Sequence, residues 1–163
     1  MRVFIPSESL SSETRVALVP DSVKKLTALG IAVSIERGAG QNSYYLDTDY
    51  EAAGAEIADD RPAELGRADL VARVRKPPLE EVALLKSGAL HISFLDPFKE
   101  ADLMNAFANA GVTAVSMEMI PRTTLAQKMD ALSSQANLAG YFAVIKASER
   151  LNRILPMMMT PSG

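Results

Sequence analysis

Apolar positions along this chain switch repeatedly between short continuous runs and a 3.6-residue spacing. The short runs at 3–5, 31–35, 69–74, 89–94 and 112–117 read as strands, with Ile57 on a further short one. Between them lie helix patterns at 23–29, 61–66, 80–86 and 99–110, and Thr48 can cap another that ends near Gly54. On the 99–110 segment, Leu103, Phe107 and Ala110 share one side. Gly30 and Gly111 stand where helices usually stop, and Pro77-Pro78 and Asp96-Pro97 end strands. A long helix follows, from about Leu125 or Asp130 to 155.

Strands alternating with helices of about ten residues imply βαβ units and a parallel sheet. Such a sheet is buried on both faces, which accounts for runs that are continuously apolar rather than alternating. The expected fold is therefore α/β, a Rossmann-like or flavodoxin-like parallel sheet with helices on both faces. One domain over 1–163 is expected. The tail, Pro156 to Gly163, reads as a connector, so the chain is expected to belong to a larger protein; a natural terminus is the alternative.

Composition narrows the function. The 163 residues are 48% hydrophobic and 23% charged with net charge -3, an ordinary globular balance without the basic face of a nucleic-acid binder. There is no cysteine and a single histidine, His91, so no metal site is expected. MRVFIPSE does not have the form of a signal peptide, and no run of about 18 apolar residues could span a bilayer. A cytosolic setting is expected.

Gly38-Ala39-Gly40 follows a strand and invites a dinucleotide-fingerprint reading. That motif needs a third glycine and an immediate helix start to meet the pyrophosphate. Ser43 stands in place of the third glycine, so the segment reads as a turn with glycines at positive φ, and the G-x-G-x-x-G fingerprint is absent.

The start of the long helix is unusual. Met129, Leu132, Ala136, Ala139 and Ala143 form a stripe of mostly small residues suited to close approach of another backbone, as in an interaction module. The other side holds Gln127, Asp130, Ser134, Asn137 and Tyr141, with Ser133 at its edge. Either this is a solvated helix start whose Asp and Ser groups satisfy free N–H groups, or uncharged donors and acceptors face a ligand that carries an amide.

Several motifs together resemble the alpha subunit of proton-translocating NAD(P) transhydrogenase. They are Pro121-Arg122, Ala126-Gln127, Met129-Asp130-Ala131-Leu132-Ser133-Ser134-Gln135 and Asn137-Leu138-Ala139-Gly140-Tyr141. Arg15-Val16-Ala17, Gly38-Ala39-Gly40, Ala68-Asp69, Met117-Glu118 and Pro156-Met157-Met158-Met159-Thr160 extend the likeness over the whole chain, partly shared with alanine dehydrogenase. Leu125 stands where members often carry arginine. The resemblance implies a Rossmann-like lobe without the fingerprint, followed by a second NAD-binding domain absent from this chain. NAD(H) would lie between the two, and Arg122, Gln127, Asp130 and Ser133 would face its nicotinamide, with Gln127 and Asp130 nearest the chemistry. NADP(H) would sit on a partner domain, beside membrane parts that move protons. A homodimer peripheral to the inner membrane is implied.

Alanine dehydrogenase shares this architecture but needs a general acid/base and cations for the substrate carboxylate. The resemblance places an arginine, a lysine and a histidine there. Arg15 matches; Arg75 replaces the lysine in Arg73-Val74-Arg75-Lys76-Pro77, and Asp96 replaces the histidine in Phe94-Leu95-Asp96. Arginine cannot serve as a base. Arg15 is expected to pair with a carboxylate such as Glu13 or Glu118, and His91 to be a packing residue. Direct hydride transfer between two nicotinamides needs only alignment and exclusion of water, so the transhydrogenase reading is preferred.

Overall fold

The computed structural model describes residues 1–153, and the expected helix end at 155 and the 156–163 tail lie outside the described residues. The chain divides into two compact units, Met1–Met119 and a second that begins at Ile120. The first contains β1 (Arg2–Ile5), α1 (Pro20–Ala28), β2 (Ala32–Glu36), α2 (Asp47–Ala52), β3 (Glu56–Ala58) and α3 (Arg61–Arg67). It continues with β4 (Leu70–Arg75), α4 (Leu79–Val82), β5 (Leu90–Phe94), α5 (Ala101–Ala110) and β6 (Thr113–Ser116).

Every strand pairs in parallel, in the order β3-β2-β1-β4-β5-β6. This is the Rossmann order, not the flavodoxin one, and its direction of winding reverses between β1 and β4. Side chains alternate across a strand, and β1 displays the consequence. Val3 and Ile5 enter one core with Val23 of α1 and Tyr50 of α2. Phe4 enters another with Leu65 of α3, Val82 of α4 and Leu103 and Phe107 of α5. Helices thus cover both faces, as the continuous apolar runs predicted.

Helix ends follow local chemistry. Gly30 and Gly111 adopt φ of 76° and 66° just past α1 and α5, the left-handed stop only glycine takes without cost. The α1 start moves back to Pro20, where a missing N–H is harmless. The α2 start is stabilised by the Asp49 carboxylate accepting from Leu46 N at 2.7 Å, so Thr48 is not the cap. The expected 80–86 helix is a single turn, because the chain must already reverse: Ala89 N donates to Lys86 O at 3.0 Å on the way into β5.

Gly38 has φ 74°, as expected of the turn. Gly40 corrects the expectation, since its φ is -87°. Its requirement is space. A Cβ there would stand 2.6 Å from Tyr50 Cε2 and 2.9 Å from the Tyr45 carbonyl oxygen. Tyr50 is fully buried and donates its hydroxyl to Leu18 O at 3.0 Å, so it cannot swing away cheaply. Gly40→Ala is expected to lower the unfolding free energy by about 2 kcal/mol, read from the urea midpoint at unchanged slope.

In a sheet of this order ligands settle at the carboxyl ends of the strands, where the winding reverses. Here the chain itself takes up the backbone amides at that place. Glu8, just after β1, accepts from the amides of Val74 at 2.7 Å and Arg75 at 3.0 Å at the end of β4. Glu36 takes the amide of Ser7 at 2.8 Å. The absence of the glycine fingerprint therefore has a structural counterpart: an internal carboxylate occupies the amides beside the crevice.

Candidate functional site

The second unit puts the start of the long helix at the later of the two expected places, Asp130, and not at Leu125. Gln127–Met129 is a separate 3-10 turn, and α6 spans Ala131–Arg150. Asp130, between them, has φ -76° and ψ 85°, outside the helical region. Its carboxylate caps α6 by accepting from Ser133 N at 2.9 Å. The Ser133 hydroxyl and amide hold the Asp130 carboxyl below its ordinary range, with the Arg122 charge adding to this at longer range. Asp130 is therefore ionised at neutral pH and is a weaker proton acceptor than an ordinary carboxylate.

Arg122, Gln127, Asp130 and Ser133 all line one cavity of about 310 Å³. Local bonds bring three of them together: Asp130 N donates to Gln127 O at 3.3 Å as the 3-10 turn closes, and Ser133 N donates to the Asp130 carboxylate at 2.9 Å. Sequence reasoning missed Thr123 and Thr124, which line the same cavity; they precede the periodic segment and carry no pattern. Ser134, Asn137 and Tyr141 are not in its wall. Ser134 Oγ instead donates to Asp130 O at 3.0 Å, closing the first turn of the helix. The small-residue stripe is not packed either, because α6 has no buried residue.

The Gln127 side-chain amide and the Arg122 guanidinium make no hydrogen bond or ion pair among the described residues. Arg122 makes no direct contact with the Asp130 carboxylate among the described residues and acts on it only through charge at longer range. The cavity thus presents a planar amide, a cation and hydroxyls, all at low proton-transfer capacity, and suits recognition of a neutral amide rather than acid–base work.

The residues weighed for dehydrogenase chemistry lie in the first unit. A cavity of about 590 Å³ at the ends of β4 and β5 takes its charged groups from Arg75, Lys76, Asp96 and Glu118. Arg15 grips Glu13 with both ends of its guanidinium, Nε at 2.7 Å and Nη2 at 2.7 Å, so its expected carboxylate partner is present. Arg75 Nε also donates to Glu13, at 2.8 Å. The Arg15 contact above all, against desolvation, lowers the Glu13 carboxyl to about 2. Lys76 is paired with Glu100, and Asp96 with Lys99 at 3.2 Å. His91 is buried against Phe107, ring centroids 5.1 Å apart, and burial lowers its pKa to about 3, which makes it the packing residue expected.

Residues 4–139 match the family model described as alanine dehydrogenase/PNT, N-terminal domain. The chain is 42% identical to the NAD(P) transhydrogenase subunit alpha of Cereibacter sphaeroides, across 100% of this chain and 31% of that protein. A crystal structure of transhydrogenase from Sinorhizobium meliloti superposes with a TM-score of 0.90 at 47% identity, over 100% of this chain and 48% of that one. An L-alanine dehydrogenase structure superposes at 0.70 and 30% identity, over 74% of this chain and 33% of that one. The chain spans less than half the length of these transhydrogenase relatives. With the parallel sheet in Rossmann order and the transhydrogenase-like 122–141 segment, these matches establish that the chain belongs to the alanine dehydrogenase/PNT N-terminal domain family.

Proposed function

We propose that this chain is the N-terminal portion of the NAD(H)-binding alpha subunit of an NAD(P) transhydrogenase. In this reading the cavity at the start of α6 takes the nicotinamide of NAD(H), a second NAD-binding domain holds the rest of the cofactor, and hydride passes to NADP+ on a partner domain. Membrane parts of the same complex would couple the transfer to proton movement. Among the described residues no helix is long and apolar enough to cross a membrane, so any membrane-spanning portion of the complex is assigned to other segments.

The observation that carries the reading is the convergence of Arg122, Gln127, Asp130 and Ser133 on one cavity that holds no base titrating near neutrality. NAD(H) adds the hydride chemistry itself when bound. The chain's share is orientation. Gln127 pairs its side-chain amide with the nicotinamide carboxamide and fixes the ring's rotation. Arg122 donates to the carboxamide oxygen. Asp130 and Ser133 hold the turn that presents Gln127 against the first turn of α6. Orientation of this kind is worth large factors, since small misplacements of reacting groups slow a reaction strongly.

Gln127→Leu puts an apolar side chain in place of the Gln127 amide. In the assembled enzyme it is expected to slow hydride transfer from NADH to NADP+ between about tenfold and a hundredfold. Stopped-flow transfer rates check this. A variant as fast as the parent overturns the assignment, and rapid alanine-dependent reduction of NAD+ by the parent would favour a dehydrogenase instead.

A further inference from the structure

The six residues that line the α6 cavity divide by what their hydrogen-bonding groups already do. Thr123 is committed to its own turn: its Oγ1 accepts from Ala126 N at 3.3 Å and its amide donates to Pro121 O at 3.0 Å. Asp130 and Ser133 are committed to the helix cap. The side chains of Arg122, Thr124 and Gln127 are uncommitted among the described residues. Two adjacent threonines in one cavity wall therefore have different duties.

We propose that Thr124 is a further binding residue, whose hydroxyl accepts a hydrogen bond from the nicotinamide carboxamide that Gln127 orients. The inference rests on the reading of the cavity given above and names a contact that reading does not contain. A primary carboxamide has two N–H donors and two acceptor lone pairs. Pairing with the Gln127 amide uses one of each. Arg122 only donates, so it serves the remaining lone pair and leaves an N–H unmatched. A hydroxyl accepts as readily as it donates, and Thr124 supplies the uncommitted one in the wall. A solvated threonine with no ligand duty is the competing account, and it makes different predictions.

The test uses steady-state kinetics of the assembled enzyme with Thr124→Val, Thr124→Ser and Thr123→Val. Thr124→Val keeps the shape and removes the hydroxyl. It is expected to raise the KM for NADH about tenfold, the worth of one hydrogen bond, with kcat changed less than about threefold. Thr124→Ser restores the parent KM. Thr123→Val, which loses the turn contact, lowers the melting temperature, whereas Thr124→Val leaves it unchanged. With the acetylpyridine analogue of NADH, whose methyl ketone has no N–H, the Thr124→Val penalty falls below about threefold. A Thr124→Val KM within about twofold of the parent overturns the proposal. If Gln127→Leu still slows transfer in that case, the cavity reading stands without Thr124; if both variants are silent, the cavity reading falls as well.

Discussion

Glu81→Ala is expected to cost about 3–5 kcal/mol of folding free energy, whereas Arg73→Met costs less than about 1 kcal/mol or stabilises. The asymmetry follows from where the two charges sit. The Arg73 side chain is 1% exposed, in the middle of the sheet, with Nη2 2.7 Å from Glu81 Oε2. Burial pulls its pKa down, but guanidinium stays charged at any ordinary pH. Glu81 also pairs with Arg61 at 2.8 Å, and Arg61 pairs with Glu36 at 2.8 Å. Removing Glu81 leaves Arg73 as a desolvated cation without a carboxylate in contact among the described residues. Removing Arg73 leaves Glu81 still matched by Arg61, and methionine fills the space with apolar surface. Urea unfolding of both variants decides the matter. Equal costs would mean that Arg73 reaches water or another anion.

That network also marks the limit of what can be read from the chain. The strands are legible because glycine and proline punctuate them and because both faces of a parallel sheet are apolar. Arg73 sits within the β4 segment LVARVR and looks like an outward position on an alternating strand. It is not one, since β4 lies inside a sheet covered on both faces, where an arginine is tolerated only with a buried partner. A charged residue in an otherwise continuous run is the signal that could expose the pair, but its partner Glu81 lies on a helix turn that periodicity alone does not place.

At the candidate site the reverse holds. Helical spacing groups Gln127, Asp130 and Ser134 on one face with Ser133 at its edge, and only the resemblance singles out Ser133; α6 itself does not begin before Ala131. Gln127, Asp130 and Ser133 stay together because the 3-10 turn closes on Asp130 and the Asp130 cap then takes the Ser133 amide. Asp130 is legible for its charge and for its capping capacity, and the structure gives it the cap. Ser134, Asn137 and Tyr141 drop out because they follow the α-helical period, which carries them round and along the axis from the turn. What sequence cannot supply is Thr124, whose candidacy depends on which hydroxyl its neighbour has already committed.

Acid is expected to destabilise the fold well before ordinary carboxylates titrate, and His91 is the group responsible. His91 is 1% exposed; its Nε2 lies 3.1 Å from Ser93 Oγ. Burial first, and the charge of Arg73 second, lower its pKa from 6.5 to about 3. The native state therefore keeps His91 neutral at pH values where the unfolded chain takes up a proton. Stability is complete above pH 6.5 and falls as pH drops through the window from 6.5 towards 3. At 1.36 kcal/mol for each unit below the unfolded value, the loss reaches about 3 kcal/mol by pH 4. Glu13 behaves in the same direction but in a lower window. Its carboxyl is held at about 2 against an ordinary 4.5, so the stability it lends is present above 4.5 and lost only as pH falls towards 2. The interval between pH 6.5 and 4.5 therefore isolates His91. Urea unfolding at a series of pH values from neutral down to about 4 is expected to show the slope in the parent chain. His91→Gln, which can still reach Ser93 but cannot titrate, is expected to remove most of the slope above the Glu13 window even if it is less stable at neutral pH. Parallel slopes for parent and variant would show that His91 charges in the folded state and is not sealed from solvent. Arg73→Met adds a check on the second cause: taking the cation away should lift the His91 pKa and shallow the parent's slope from its low-pH end.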